Sequence, residues 1–130
     1  MTKIINYKTN QVIIEDDNLS LKQLVEKAVK NNISLAYANL QYANLEGANL
    51  EKANLYNADL YNANLLNVNL KNAYLYNADL ENANLYNDDL QYANLKYANL
   101  KYANLKYADL ENADLENADL YKANLEKATF

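Results

Sequence analysis

The feature that most constrains this chain is a leucine at every fifth residue from Leu35 to Leu125, with Phe130 in the next place of the series. This period excludes an amphipathic helix, because a helix turns about 100° per residue and would place successive leucines about 140° apart. It also excludes a plain strand, since an odd period sends successive side chains to opposite faces. The chain is therefore predicted to turn within every repeat.

The repeat unit reads A(N/D)LXX, because Ala stands two places before most of the leucines and Asn or Asp lies between them. Ile33, Val68 and Asp88 are the exceptions at the alanine position. The simplest structure points Ala and Leu inward, points Asn or Asp outward from a short extended segment, and uses the last two residues as a corner. The outward asparagines are interpreted as partners of turn backbone groups, in preference to a template for ordered water.

Residues 1–32 do not follow the repeat and are predicted to form an N-terminal cap. The runs KIINY and QVIIE, joined by KTN, indicate a β-hairpin. Ser20 and Gln23 have capping-box spacing at the start of an apolar stripe with helical spacing, which predicts a short α-helix. Such a cap would cover the unpaired backbone groups and apolar side chains of the first coil.

The twenty units of residues 33–130, among them ISLAY, ANLQY and ADLYN, resemble the pentapeptide-repeat family. The resemblance covers 98 of the 130 residues. It implies an all-β solenoid, namely a right-handed quadrilateral β-helix of about five coils, with four units per coil and leucines stacked inside. A 20-residue coil also pairs opposite charges between neighbouring coils: Glu51 with Lys71, Glu81 with Lys101, Lys96 with Glu116, and Lys106 with Glu126.

Composition narrows the function classes. The chain has no His, no Cys and a single Gly, so the commonest general base, thiol chemistry and glycine-rich phosphate loops are missing; we predict no enzyme, no cofactor and no metal. A net charge of −5 argues against nucleic acid as a partner. The chain lacks an apolar run of the roughly 20 residues that cross a bilayer, and it lacks the apolar core of a signal peptide. A cytoplasmic protein is therefore expected, and the richness in Asn, Lys, Tyr and Ile indicates an AT-rich bacterial genome.

Surface tyrosines are the best indication of function in the sequence. The twelve tyrosines of the repeat region are predicted to lie outside, with Tyr56 and Tyr76 stacked one coil apart. Tyr97, Tyr102 and Tyr107 follow lysines in LKYANLKYANLKYA, a mixture that single-stranded nucleic acid favours. The three lysines fall on different sides of the predicted coil, so a solvated, charge-paired belt is the preferred interpretation. These five tyrosines are the predicted interaction surface.

Asp88 places a carboxylate at an inward alanine position, beside Asp89. Burial would raise its pKa, and the neighbouring charge would add to the effect. No base, nucleophile or metal-ligand cluster accompanies it, so a catalytic role is not predicted. We interpret it as a local bulge, a side chain bonded to the backbone, or a water site.

These features predict a noncatalytic scaffold whose flat faces bind a protein partner or a second copy of the chain. The chain ends in LEKATF, which leaves only Phe130 to cover the final coil, and this open end predicts a homodimer through the C-terminal end. The alternative is a DNA-mimic regulator of DNA gyrase, because the chain resembles the quinolone-resistance members of the family. It lacks their loop insertions and C-terminal dimerisation helix, but an acidic cluster fits such mimicry: Asp109, Glu111, Asp114, Glu116 and Asp119.

Overall fold

The computed structural model describes residues 1–130, and the predicted hairpin and helix are both present at its N-terminal end. Strand β1 spans Thr2–Ile5 and pairs antiparallel with β2, Val12–Asp16. Helix α1 spans Leu21–Lys30. The predicted capping box is formed, because the Ser20 hydroxyl accepts from the Gln23 N–H at 3.2 Å and the Gln23 amide oxygen accepts from the Ser20 N–H at 2.9 Å. No helix of the chain has the length and apolar character that crossing a membrane requires.

From residue 33 onward the chain is a column of stacked coils. Parallel bridges join the central residue of each unit to the residue 20 positions further on, as in Asn44 with Asn64 and Asn64 with Asn84. Twenty residues hold four five-residue units, so each coil has four sides, as expected from the charge pairing. The extended segments are single bridges instead of long strands, because a turn follows every leucine.

Each unit of the inner coils forms the same backbone hydrogen bonds. The Leu80 N–H donates to the Asn99 carbonyl of the following coil at 2.7 Å, and the Asp79 N–H donates to the Ala58 carbonyl of the preceding coil at 2.9 Å. The Ala83 N–H donates to the Leu80 carbonyl at 3.0 Å and closes the turn between two sides. Coils are therefore held to both neighbours by backbone pairing, which satisfies the polar groups of the buried segments.

The corners explain why asparagine is frequent in the last place of the unit. The second corner residue has a positive φ, between 54° and 69°, in every unit from residue 37 to residue 127. Asn tolerates this left-handed conformation better than most residues, and Gly47, the only glycine, occupies one of these positions. Tyr92, Tyr97, Tyr102 and Tyr107 adopt it at four successive corners. A bulky side chain there costs on the order of 1 kcal/mol.

The core is a continuous stack of inward leucines and alanines. Every repeat leucine from Leu35 to Leu110 is at most 2% exposed. The cap extends this core with Ile4, Leu24 and Val25, each buried against the first coil. No cavity is lined by the stacked leucines, since the three grooves on the molecule all border α1 or the residues that follow it.

The cap also supplies hydrogen-bond partners to the first coil. The Asn39 N–H donates to the Ile5 carbonyl of β1 at 2.8 Å. The Asn49 N–H donates to the Glu26 carboxylate of α1 at 3.2 Å. Because these N–H groups point away from the second coil, they would otherwise lack a protein partner.

The final coil of the structure is less enclosed. Leu115, Leu120 and Leu125 are half-buried, and Phe130 is 68% exposed. The N–H groups of these leucines have no hydrogen-bond partner in the chain, whereas the Leu110 N–H still donates to a carbonyl of the following coil. The end of the column thus presents apolar side chains together with free backbone donors.

Candidate interaction surface

Tyrosines on one corner of the column form a chain of ring contacts that begins in the cap. Successive ring centroids are 5.3–5.9 Å apart in this first tyrosine column, which consists of Tyr7, Tyr37, Tyr56, Tyr76 and Tyr97. The predicted stacking of Tyr56 on Tyr76 is found, at 5.7 Å and an interplanar angle of 20°. Tyr74 lies beside them and contacts both rings. The result is a strip of aromatic surface parallel to the column axis.

A second tyrosine column lies on the next corner and contains two ring pairs. Tyr42 contacts Tyr61, and Tyr102 contacts Tyr121, each pair with centroids 5.8 Å apart and nearly perpendicular rings. Edge-to-face pairs of this kind are favourable, because the positive ring edge meets the negative ring face. Glu81 occupies this corner between the two pairs.

The side between the two corners carries a row of outward residues, here called the carboxylate row. Parallel bridges place its members one above another: Asn39, Asp59, Asp79, Asn99 and Asp119. In each coil the chain passes the corner of the first column, then the carboxylate row, then the corner of the second column. The row is therefore flanked by tyrosines on both sides. Tyr7 lies close enough to this row for its pKa to respond to the row's charges. Burial raises the pKa of Tyr7 most, and the charges of Asp59 and Asp79 raise it further.

Most of the negative charge on this side has no cationic partner within the protein. Asp119 forms an ion pair with Lys101 at 3.4 Å. Asp59 and Asp79, both half-buried, have no ammonium group within 4 Å. Their carboxylates accept only from uncharged N–H groups, namely the side-chain amides of Gln41 at 2.6 Å and Asn99 at 3.1 Å and the backbone N–H groups of Tyr61 at 3.1 Å and Glu81 at 3.0 Å. The Glu81 carboxylate likewise accepts from Asn99 at 3.0 Å.

Two of the four predicted charge pairs are present. Lys96 approaches Glu116 at 3.2 Å and Lys106 approaches Glu126 at 3.3 Å, and these contacts raise the pKa of both lysines. Glu51 with Lys71 and Glu81 with Lys101 stand in the predicted 20-residue register but form no ion pair within 4 Å. Lys101 turns to Asp119 and Glu81 to Asn99, because long side chains reach residues 18 positions away as easily as those 20 away.

The asparagines of another side form an internal ladder. Each side-chain N–H donates to the side-chain oxygen, Oδ1, of the asparagine in the preceding coil. The distance is 3.1 Å from Asn64 to Asn44 and 3.2 Å from Asn104 to Asn84. The same oxygens accept turn N–H groups, as Asn64 does from Leu66 at 3.2 Å. The interpretation of these side chains as partners of turn backbone groups is confirmed.

The five predicted surface tyrosines do not form one patch. Tyr56, Tyr76 and Tyr97 belong to the first column and Tyr102 to the second, whereas Tyr107 lies on a third corner in contact with another ring, Tyr86, at 5.3 Å. The spacing of the tyrosines could have separated the corners, because a coil repeats every 20 residues.

Six tyrosines of this surface are absent from the predicted set. Tyr42, Tyr61 and Tyr121 belong to the second column, and Tyr7, Tyr37 and Tyr74 lie in or beside the first. Rings meet at separations of 18, 19 or 21 residues as well as 20, as for Tyr56 with Tyr74, Tyr37 with Tyr56, and Tyr76 with Tyr97. A search that allowed these separations would have found Tyr37 and Tyr74. The position of Tyr7 depends on how the cap docks, and no pattern in the sequence indicates it.

Asp88 is buried, with 1% of its surface exposed. Its Oδ1 accepts from the Val68 N–H at 2.8 Å, and its Oδ2 has no partner. Burial raises the pKa of Asp88 to about 9; the Val68 hydrogen bond opposes this shift and the charge of Asp89 adds to it. Bridges from Asp89 to residues 69 and 109 keep the register, so a bulge is excluded and the side chain is bonded to the backbone.

A four-sided column of five-residue units, filled with leucine and alanine, defines a solenoid repeat protein. Eight copies of the Pentapeptide repeats family match within residues 31–67, 53–91, 63–101 and 93–130. The chain belongs to the pentapeptide-repeat family.

Solved structures of related proteins support this assignment. A pentapeptide repeat protein from the cyanobacterium Cyanothece 51142 is 39% identical over 71% of this chain, with a TM-score of 0.69. A pentapeptide repeat protein of the Arabidopsis thaliana thylakoid lumen is 30% identical over 69% of this chain, with a TM-score of 0.67. In each case the match spans 63% of the other protein's length. These TM-scores show that the matched parts of both proteins share the fold described above.

The likeness to the fluoroquinolone resistance protein QnrB1 is much weaker. It amounts to 14% identity over 69% of this chain and 58% of that protein, with a TM-score of 0.36. This similarity carries no argument for a shared partner. A comparison with curated protein sequences yields no match.

Proposed function

We propose that this protein is a noncatalytic scaffold, a right-handed column of about five coils that binds a partner protein through its tyrosine-lined faces. The observation that carries the proposal is the first tyrosine column, in which five rings remain in contact from the cap into the repeat region. Tyrosine is enriched in protein interfaces because its ring is amphipathic and offers a large contact area.

The ring contacts also lower the entropic cost of binding. Each ring of the column is already held by its neighbours, so less rotamer freedom is lost when a partner covers it. Four tyrosines at successive corners of one coil adopt positive φ. Three of them also contact other tyrosine rings, namely Tyr97, Tyr102 and Tyr107. Asparagine would fit that backbone at lower cost, and retained strain of this kind is typical of functional positions.

Affinity capture tests this function. Replacing Tyr56 and Tyr76 by Gln should abolish capture of the specific partner from an extract of the native cell, because the centre of the column is removed. The fold should be kept, because Gln41 and Gln91 already occupy the same place in the repeat unit, directly after a leucine, as Tyr56 and Tyr76 do. Capture would be quantified by mass spectrometry.

A matched control removes two tyrosines from other corners. The Tyr86→Gln/Tyr92→Asn variant loses the same number of rings but leaves both columns intact, and it should capture the partner at the wild-type level. Equal capture by all three proteins would contradict a binding role for the first column.

We further propose that two copies of the 130-residue chain associate through the final coil. The half-buried leucines and free N–H groups of that coil provide the surface. Light scattering at high concentration should give twice the chain mass for the wild type and for Phe130→Leu, which continues the leucine series. Phe130→Lys should give a monomer, because it brings two ammonium groups together. A wild-type protein that stays monomeric throughout would refute the dimer.

A further inference from the structure

We infer that the face between the two tyrosine columns binds an extended, arginine- or lysine-rich segment of the partner protein. This inference rests on the proposed scaffold function and specifies the chemistry of the partner. It joins three features of one face, namely uncompensated carboxylates, cation-accepting rings and the absence of a free backbone edge.

The first feature is charge. Asp59 and Asp79 lie on neighbouring coils, about 4.8 Å apart in the stacking direction, and Glu81 stands two residues after Asp79 at the adjoining corner. Like charges that face each other across strands are destabilising, and no lysine of the chain approaches these carboxylates. A cation from outside would relieve this repulsion. An anionic partner such as nucleic acid would increase it.

The second feature is the behaviour of the tyrosine rings toward the protein's own cations. The Lys8 ammonium lies 5.0 Å from the ring centroid of Tyr37, in the first column. The Lys122 ammonium lies 5.3 Å from that of Tyr121, in the second column. Rings in both columns are therefore accessible to a positive charge at cation–π distance. These lysines stand in for the side chains that a partner would bring.

The third feature is the pairing of the backbone. The Asp59 N–H donates to the Ala38 carbonyl at 2.9 Å, and the Leu60 N–H donates to the Asp79 carbonyl at 2.7 Å. Such a side offers no free edge to which a strand could be added. A partner must bind through its side chains. From Asn39 to Asp119 the row spans about 19 Å, the length of about six extended residues.

The opposite side of the column shows what is particular to this face. Asp89 and Asp109 stack there in the same way. The pKa of Asp109 is nevertheless lowered, first by the hydrogen bond from Gln91 and also by the charge of Lys71. Asp109 thus has the charge of a lysine of the chain nearby, and the pair of Asp89 and Asp109 serves as a matched control of equal charge.

Fluorescence anisotropy with three labelled ten-residue peptides tests the inference on the full chain. The peptides alternate Gly with Arg, Gln or Glu. We expect the Arg peptide to bind, the Gln peptide to bind about tenfold more weakly, and the Glu peptide not to bind. Affinity for the Arg peptide should fall as salt is raised.

Charge-neutral variants locate the binding site. The Asp59→Asn/Asp79→Asn variant should bind the Arg peptide with about tenfold lower affinity. The fold should be kept, because asparagine already occupies this row at Asn39 and Asn99. Asp89→Asn/Asp109→Asn removes the same net charge from the opposite side and should change the affinity less than about twofold. Equal weakening by the two variants, equal affinity for the Arg and Gln peptides, or no binding of the Arg peptide would each overturn the inference.

These outcomes are separate from those of the scaffold proposal. The Tyr56→Gln/Tyr76→Gln variant could lose the captured partner while the Asp59→Asn/Asp79→Asn variant binds the Arg peptide with wild-type affinity. In that case the scaffold function stands and the basic-segment inference fails. If the tyrosine variant captures the same proteins as the wild type, the scaffold function itself fails.

Discussion

Replacing Asp88 by alanine is expected to raise the free energy of unfolding at pH 7 by on the order of 3 kcal/mol. Burial holds the pKa of Asp88 at about 9, so the native state keeps a proton that the unfolded state, with a pKa near 3.8, has released. Alanine occupies this position in most units, and the Val68 N–H keeps a partner in the Leu65 carbonyl at 3.0 Å. The substitution therefore leaves no polar group orphaned.

The pH dependence has a definite sign. Below about pH 4 the carboxyl is protonated in both states, and its ionisation does not affect stability. As pH rises toward 9, only the unfolded state loses the proton, so the wild type loses about 1.4 kcal/mol per pH unit. Above pH 9 the loss levels off, because both states are ionised. Urea unfolding of wild type and Asp88→Ala between pH 5 and 9 measures this difference directly.

Asp88→Asn is the matched control, because it preserves size and the acceptor for the Val68 N–H but cannot ionise. It should remove the same pH dependence while gaining less stability than alanine, since its amide N–H groups are buried without partners. Parallel pH profiles for the wild type and both variants would show that Asp88 does not titrate as a buried group. A loss of several degrees in melting temperature for Asp88→Ala would contradict the expected gain.

Leu80→Ala is expected to lower the free energy of unfolding by about 2–5 kcal/mol. Leu80 is fully buried, with Leu60 and Leu100 at the same place in the neighbouring coils. The coils cannot close the resulting cavity, because their spacing is fixed by backbone hydrogen bonds to both sides. The cost should therefore include the cavity as well as the lost apolar contact.

Leu125→Ala provides the comparison for this prediction. Leu125 is half-buried in the final coil and has Leu105 on one side only, so its replacement should cost about 1 kcal/mol. Both costs would be measured by urea unfolding with circular dichroism. Similar losses for the two substitutions would be inconsistent with a core whose enclosure differs between the middle and the last coil.

Several elements follow from local sequence alone. The five-residue leucine period excludes both regular helix and long strands, and the unit predicts which positions point inward. Residues at the second corner position need positive φ, which explains the frequent asparagine there. Ser20 and Gln23 mark the start of α1 correctly, because a capping box involves only neighbouring residues.

The candidate site follows much less from sequence. The tyrosines were visible as surface residues, but their division among corners depends on ring orientation and on contacts at separations of 18 to 21 residues. Asp88 illustrates the same limit. Its inward position was evident, whereas the choice between a bulge and a backbone-bonded carboxylate required the geometry of Val68 in the adjacent coil.

By itself, the sequence determined a coiled column with leucine inside and polar residues outside, because a strict short period leaves one way to bury every fifth side chain. Only the tertiary structure decided that Tyr7 joins the first tyrosine column and that Asp59 and Asp79 stay without a cation. Period fixes where each Cα lies in the coil. The reach and rotamers of long side chains, together with the docking of the cap, decide which groups meet.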